Sequence, residues 1–461
     1  MATLESAARI IHRPETPSVP AVPAKTASRE PETESRTDLF TQDELFGVKK
    51  GQYIKKARAR VLADIESLSG NCRWQDIVSL YHPVEEKLPE LDEAGMADMV
   101  KEKIAFAMGH LKQFDDAISL LTACIRNDPD NFYTRSSLAY TAYSSLFAAK
   151  NREIFLAGAP RARRIELAHE NFTRARKLRP DGVTNCYRHA MLHLQIQNKP
   201  KPALHLLNQA IANWENLSEQ DQTRRHQEKK NYVKSLYRSA SVLLANGEAL
   251  KALERIQTCL KQDESSHHVS VCFKYFALGK IQFCREEYGR AGEALRFALQ
   301  SREKNQPVDF VHELLARTCL AQGLIDQAKY TIEQVPVRMR RPYFRWTEAD
   351  VLCAAGRFDR ALQVLTETAD RDSRSKHVAL VRLAKICYSR GQFESGAGHA
   401  GRAVDFFNEK WGNLFYEGLF WQALCAFKAG RKQQAETLVA ELERACPNFP
   451  KLDRLAAMVR G

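Results

Sequence analysis

Residues 103–131 read KIAFAMGHLKQFDDAISLLTACIRNDPDN, two apolar stripes separated by a short polar turn. Ile104 and Ala105 stand on the first stripe. Phe114, Ala117, Leu121 and Cys124 stand on the second, spaced by three and four residues as one buried helix face requires. Ala105 and Ala117 are small where neighbours on either side are large. Small side chains let two helix backbones approach, and large ones fill the flanking space. Pro129 cannot continue the second helix, because it has no N–H and its ring clashes with the preceding turn. The stretch therefore predicts a tight helix–turn–helix.

The same grammar recurs along the chain. The small residue at Ala117 returns at Ala168, Ala203, Ala252, Ala291, Ala328, Ala361, Gly396 and Ala435. Four residues beyond each stands Leu121, Phe172, Leu207, Ile256, Leu295, Ile332, Leu365, Ala400 or Val439. Gly247, Gly323, Gly356, Gly391 and Gly430 fall at one constant offset, between the two helices, where glycine readily adopts the angles that end a helix.

This spacing resembles the 34-residue tetratricopeptide (TPR) repeat, with small residues at positions 8, 20 and 27 and large apolar ones around them. The fullest match is Cys272–Asn305, through Tyr275, Leu278, Gly279, Tyr288, Ala291, Leu295 and Ala298. A degenerate unit, Arg58–Leu91, precedes the nine, with Ile65, Trp74, Ile77 and Tyr81 as core. The resemblance covers residues 58–449. It implies an all-α fold, a right-handed superhelical solenoid of about nine to ten TPR-like helix pairs.

The domain reading follows. Residues 1–38 hold Pro14, Pro17, Pro20, Pro23 and Pro31 among Ser, Thr, Glu and Ala, a composition that buries too little to fold alone. Residues 39–97 are read as N-terminal capping helices and the degenerate repeat, 98–449 as the array, and 450–461 as a C-terminal capping helix. Thr41-Gln-Asp-Glu44 has the spacing of a helix capping box, inside the motif DLFTQDELF. Between Ala117 and Ala168 the array carries 17 extra residues, near 146–162 (LFAAKNREIFLAGAPRA), expected to extend the turn and protrude. A second excess contains SEQDQTRRHQEKK, read as a loop or a longer next helix.

The net charge is +13, from 69 Lys+Arg against 56 Asp+Glu. A basic surface suits acidic peptides, nucleic acid or anionic membranes. No stretch approaches the roughly 18 apolar residues of a membrane span. The N-terminus lacks the apolar core of a secretory signal, and Glu5 with the proline-rich continuation argues against a mitochondrial presequence. The 11 cysteines form no CxxC pair, which fits a reducing compartment, and a cytoplasmic location is expected.

Enzyme signatures are lacking: there is no phosphate-binding glycine loop, GxSxG, HExxH or kinase set. His189 and His193 lie four apart on a predicted helix, but no Glu follows His189 and spacing identifies no third ligand, so neither a metal nor a cofactor is expected. Cys124 and Cys259 at position 27, and Cys319 and Cys387 at position 11, read as small apolar fillers.

The resemblance places function on the concave face lined by the first helices. The candidate partner-binding residues there are Tyr133, Tyr140, Tyr143, Arg188, Arg238, Lys280, Arg317, Trp346, Arg382, Lys385, Phe420 and Trp421. The Lys/Asn carboxylate clamp of chaperone-binding TPR domains is missing, since Glu102 and Phe106 occupy its first two positions. Two functional readings result. The first is a non-catalytic scaffold or adaptor whose groove takes an acidic or extended protein segment. The alternative is an RNA-binding helical repeat, suggested by the run Val337-Arg-Met-Arg-Arg-Pro-Tyr-Phe-Arg345. RNA-reading repeats keep their contacts at fixed positions. Here the basic positions drift and Glu313 and Asp350 interrupt them, which favours the first reading. Deleting residues 1–38 is expected to leave the melting temperature nearly unchanged; a large drop in a thermal melt would show that the tail is structural.

Overall fold

The computed structural model describes residues 50–461; the tail, the Thr41–Glu44 box and DLFTQDELF lie outside the described residues. Among the described residues there are helices and no strand. They divide into two bodies, 50–243 and 244–461.

The first body opens with α1 (Lys50–Gly70) and α2 (Trp74–Tyr81), the degenerate pair. Ile65, Ile77 and Tyr81 are buried in its core, as the sequence pattern requires. His82 is extended ahead of Pro83 and stops α2, since a residue before proline avoids the helical region. Two short helices follow, α3 (Val84–Lys87) and α4 (Pro89–Glu93). Next come the pairs α5 (Asp98–His110) with α6 (Phe114–Asn127), α7 (Phe132–Lys150) with α8 (Gly158–Leu178), and α9 (Val183–Met191) with α10 (Pro200–Glu215). The polar run forms α11 (Glu219–Arg224) and the start of α12 (His226–Ala245), near whose end the division falls.

The second body begins with α13 (Ala249–Gln262) and continues as α14 (Val271–Cys284) with α15 (Tyr288–Gln300), and α16 (Asp309–Ala321) with α17 (Ile325–Glu333). Then follow α18 (Pro342–Ala354) with α19 (Phe358–Arg371), α20 (Lys376–Ser389) with α21 (Phe393–Trp411), and α22 (Tyr416–Lys428) with α23 (Lys432–Ala445). The last helix is α24 (Leu452–Arg460). Its Leu452, Leu455 and Val459 join the apolar cluster of α22 and α23.

The register holds in every pair. All eight alanines at the close-contact position, from Ala117 to Ala435, are fully buried. Gly396, the exception in residue type, stands where an added Cβ would lie 2.9 Å from Cys425 Sγ and 3.3 Å from the Ala384 carbonyl oxygen. On the facing helix the constraint is as tight, for a Cβ at Gly279 would lie 2.7 Å from Leu295 Cγ. The residues four beyond are all buried as well.

Outside the α7–α8 pair, the turn between the helices has one conformation whatever residue occupies it. Gly247, Gly323, Gly356, Gly391 and Gly430 have φ between +73° and +84°. In the pairs without glycine there, Cys72, Lys112, Asn198 and Glu286 take φ of +54° to +66° at the same place. An L-residue in this region costs roughly 1–2 kcal/mol. Tertiary packing of the two helices thus overrides local preference at four turns.

The 17-residue excess does not protrude as a loop. Residues 146–150 extend α7 and 158–162 begin α8, leaving only 151–157 irregular, with Phe155 exposed. The cause is burial: Ser145, Leu146 and Ala148 are covered, and Leu146 joins Phe172 and Leu192 in one apolar cluster. Extending the helices keeps these groups out of water at no loss of backbone hydrogen bonds.

Polar ties join successive elements. Asp263 and Lys274 form a buried pair, Nζ to Oδ2 2.9 Å, with side-chain exposures of 0% and 2%. Lys274 Nζ also donates to the Asp263 carbonyl oxygen, while the Asp263 carboxylate accepts from the backbone N–H of His268 and Val269. The turn leaving α13 is thereby fastened to α14. Thiols fill apolar positions: Cys124, Cys186, Cys259, Cys272, Cys319, Cys387 and Cys425 are all buried.

Ala291→Leu is expected to destabilise the protein by about 1–3 kcal/mol through overpacking, while Gln300→Leu on the exposed side of α15 is nearly neutral. Equal losses in chemical denaturation would show the register to be wrong. Lys274→Ala leaves a buried carboxylate without its cation and is expected to cost about 3–5 kcal/mol, read from the same denaturation curves.

Candidate functional site

First helices of successive pairs lie side by side, and the candidate residues stand along them. A small structural rule recurs there: a cation on one first helix stacks over an aromatic ring on its neighbour. In the first body the Arg188 guanidinium of α9 lies 3.9 Å from the centre of the Tyr140 ring of α7. In the second body Arg317 of α16 lies 5.0 Å from Phe283 of α14. Arg382 of α20 lies 5.5 Å from Trp346 of α18, and Lys385 of α20 lies 5.5 Å from Trp421 of α22. All are within the roughly 6 Å at which a ring quadrupole attracts a cation.

The electrostatics differ from one step to the next. Arg317 approaches Glu313 at 3.7 Å, Arg382 approaches Asp350 at 3.5 Å, and Lys385 meets Glu417 at 2.7 Å. Those cations are already balanced. Arg188 has no carboxylate partner among the described residues; it rests among Tyr140, Tyr143 and Tyr187, and burial lowers its pKa. Lys280 is 8% exposed and has no hydrogen-bond partner among the described residues. Burial pushes its pKa down; Cys284 opposes this, Arg317 adds to it, and Glu313 opposes it without forming an ion pair. The uncompensated positive charge of the candidate set therefore sits at Arg188 in one body and Lys280 in the other.

The aromatic members are unequal too. Tyr133 is 66% exposed at the start of α7. Tyr143 is turned inward, donates its hydroxyl to Gln195 Oε1, and is kept protonated by burial. Trp346 is buried and its indole N–H lacks a partner, so it acts as the floor under Arg382. Phe420 packs on Phe449 at 5.4 Å and edge-on to Trp421 at 5.9 Å. Arg238 lies over the ring of its neighbour Tyr237 at 5.5 Å. Sequence reasoning missed one group. Phe106 on α5 is 45% exposed and stands edge-on to Trp74 and His110, which are themselves stacked at 4.0 Å. The signal was present, since Phe106 occupies position 9 of its unit, a groove position.

Three arginines of the basic run Val337–Arg345 are engaged internally, while Arg338 is exposed. Arg340 binds Glu348 and the carbonyl oxygens of Val335 and Ile332; Arg345 binds Glu348 and Glu367; Arg341 approaches Asp309 at 3.4 Å. The run pins the start of α18 rather than presenting a charged strip.

Sequence spacing also found only two of three clustered histidines. His189 and His193 are joined by His169 from α8, whose Nδ1 lies 2.8 Å from His189 Nε2. No position on α9 points to it, because the contact runs between pairs.

Small residues at close contact, a shared left-handed turn and apolar clusters running from pair to pair define an all-helical array of TPR-like helix pairs. The sequence matches no protein-family model and no curated protein. Solved structures with similar helical arrays include a tetratricopeptide repeat protein from Parabacteroides merdae, 13% identical, TM-score 0.42, covering 63% of this chain and 98% of that one. Yeast Tom70 is 12% identical, TM-score 0.40, with 89% of this chain and 96% of that one covered. The human IFIT1 dimer with m7Gppp-AAAA is 14% identical, TM-score 0.41, with 85% of each chain covered. No described helix is long and apolar enough to cross a membrane.

Proposed function

We propose that this protein is a non-catalytic scaffold that holds an extended, acidic and apolar segment of a protein partner along its first helices. The observation that carries this reading is the repeated cation-over-aromatic step, combined with the uncompensated charge of Arg188 and Lys280. Stacked rings hold each cation in a fixed place, so little side-chain entropy is lost when a carboxylate arrives. A carboxylate would pair with Arg188 or Lys280, and apolar groups would settle on exposed aromatic surface such as Tyr133 and Phe106. Chemistry is not needed for this role. The buried thiols are held in the unreactive form, with Cys124 and Cys259 pushed up to about 12 by burial. The internal engagement of Arg340, Arg341 and Arg345 favours this reading over RNA binding.

The test is a pull-down with the full chain from its native host, then binding kinetics with the recovered partner at two salt concentrations. Arg188→Gln and Lys280→Gln should each slow association and flatten its salt dependence, costing about 10-fold in affinity. Tyr133→Ala with Phe106→Ala should mainly speed dissociation. Unchanged kinetics in all three folded variants would remove these residues as the partner site, and recovery of RNA instead of protein would favour the alternative.

A further inference from the structure

We propose that His169, His189 and His193 form a binding site for one divalent transition-metal ion of the zinc, cobalt or nickel type. The three come from two elements. His169 is on α8; His189 is on α9; His193 lies in the π-helical turn Leu192–Ile196 that ends α9. In an unbroken α-helix residues four apart share a face. The wider π turn brings His193 round beside His169 as well, and such turns are frequent at functional sites.

The rings form a nearly equilateral triangle. Centre-to-centre distances are 5.1 Å for His169 and His189, 4.8 Å for His169 and His193, and 5.1 Å for His189 and His193. A tetrahedral ion with metal–nitrogen bonds of about 2.0–2.1 Å holds three imidazole centres about 5 Å apart. One nitrogen from each ring lies within 4.8 Å of the others, and small ring rotations bring them to the roughly 3.3 Å that such an ion imposes.

The surroundings fit the same conclusion. The π turn is held in place from α7, where Tyr143 donates to the Gln195 side chain and Lys150 to the Gln195 carbonyl oxygen. Gln197 Oε1 lies 3.0 Å from His169 Nε2 and orients that ring through the nitrogen not needed by the ion. Among the described residues a single hydrogen bond links the three rings, between His169 Nδ1 and His189 Nε2, and Nδ1 of His193 is buried with no hydrogen-bond partner. An ion would satisfy three lone pairs together. The donor set is three imidazoles, which suits zinc, nickel and cobalt and leaves a fourth position open. Bound there, the ion would tie α8 to α9 across the boundary between two pairs.

The experiment uses the full chain, free of any affinity tag and stripped with chelator. Cobalt(II) is titrated and followed by visible absorption, with zinc as competitor. The expected result is an intense tetrahedral cobalt band saturating at one equivalent, bleached by zinc, with a raised melting temperature when zinc is present. His169→Gln and His193→Gln, each only partly buried, should each weaken cobalt affinity at least ~10-fold, while His226→Gln at an exposed site has no effect. The proposal is overturned if folded wild-type protein gives no tetrahedral band, or if the band survives in both variants. Should a variant fail to fold, the wild-type spectrum alone decides, since cobalt scattered over surface histidines gives weak octahedral absorption.

Discussion

One contact governs this molecule: the approach of two helix backbones at a position that tolerates alanine or glycine and nothing larger. From Ala117 to Ala435 that residue is fully covered, and at Gly396 and Gly279 there is no room even for a methyl group. Close approach fixes the angle between the helices of a pair. It also fixes where the large residue four positions on must go, and hence which face is left for the next pair. Each body is the repetition of that one decision. The left-handed turn follows from it, because the connection must be short and must reverse direction. Glu286 and Lys112 accept an unfavourable backbone conformation there because the packed helices on either side determine it.

The same repetition places the polar side chains. First helices recur side by side, so residues at matching positions meet across the gap between pairs. Arg188 with Tyr140, Arg317 with Phe283 and Arg382 with Trp346 are three versions of one geometric relation. What varies is whether a carboxylate is also within reach. Where Glu313, Asp350 or Glu417 is present the cation is neutralised in place. At Arg188 and Lys280 it is not, and this local imbalance says more about a partner than the net charge does.

The fold was legible because the close-contact rule is written at fixed intervals in the chain, and every small residue assigned to it proved buried. The positions of the candidate residues were legible for the same reason. Their electrostatic state was not. Whether Lys385 is balanced depends on Glu417, 32 residues away on another helix, and periodicity carries no such information. The 17-residue excess was misjudged for a related reason: length between landmarks does not tell a loop from two longer helices. Leu146 decided it by having a cluster to join. The third histidine was invisible because His169 belongs to a preceding pair, and the contact between its ring and His189 is made only in the folded chain.

The buried thiols have a consequence for how such a molecule can be observed. They are spread through the chain, from Cys124 on α6 and Cys186 on α9 to Cys259, Cys319, Cys387 and Cys425 further on. Burial holds Cys124, Cys259 and Cys425 near a pKa of about 12, so a thiol-alkylating reagent meets almost no thiolate in the closed state. Labelling at each site then waits for that stretch of helix to open. In an array whose parts touch mainly their neighbours, opening is local and its free energy differs along the chain. The native cysteines thus amount to a set of built-in clocks, and the order in which they react would trace how fraying moves through the stack.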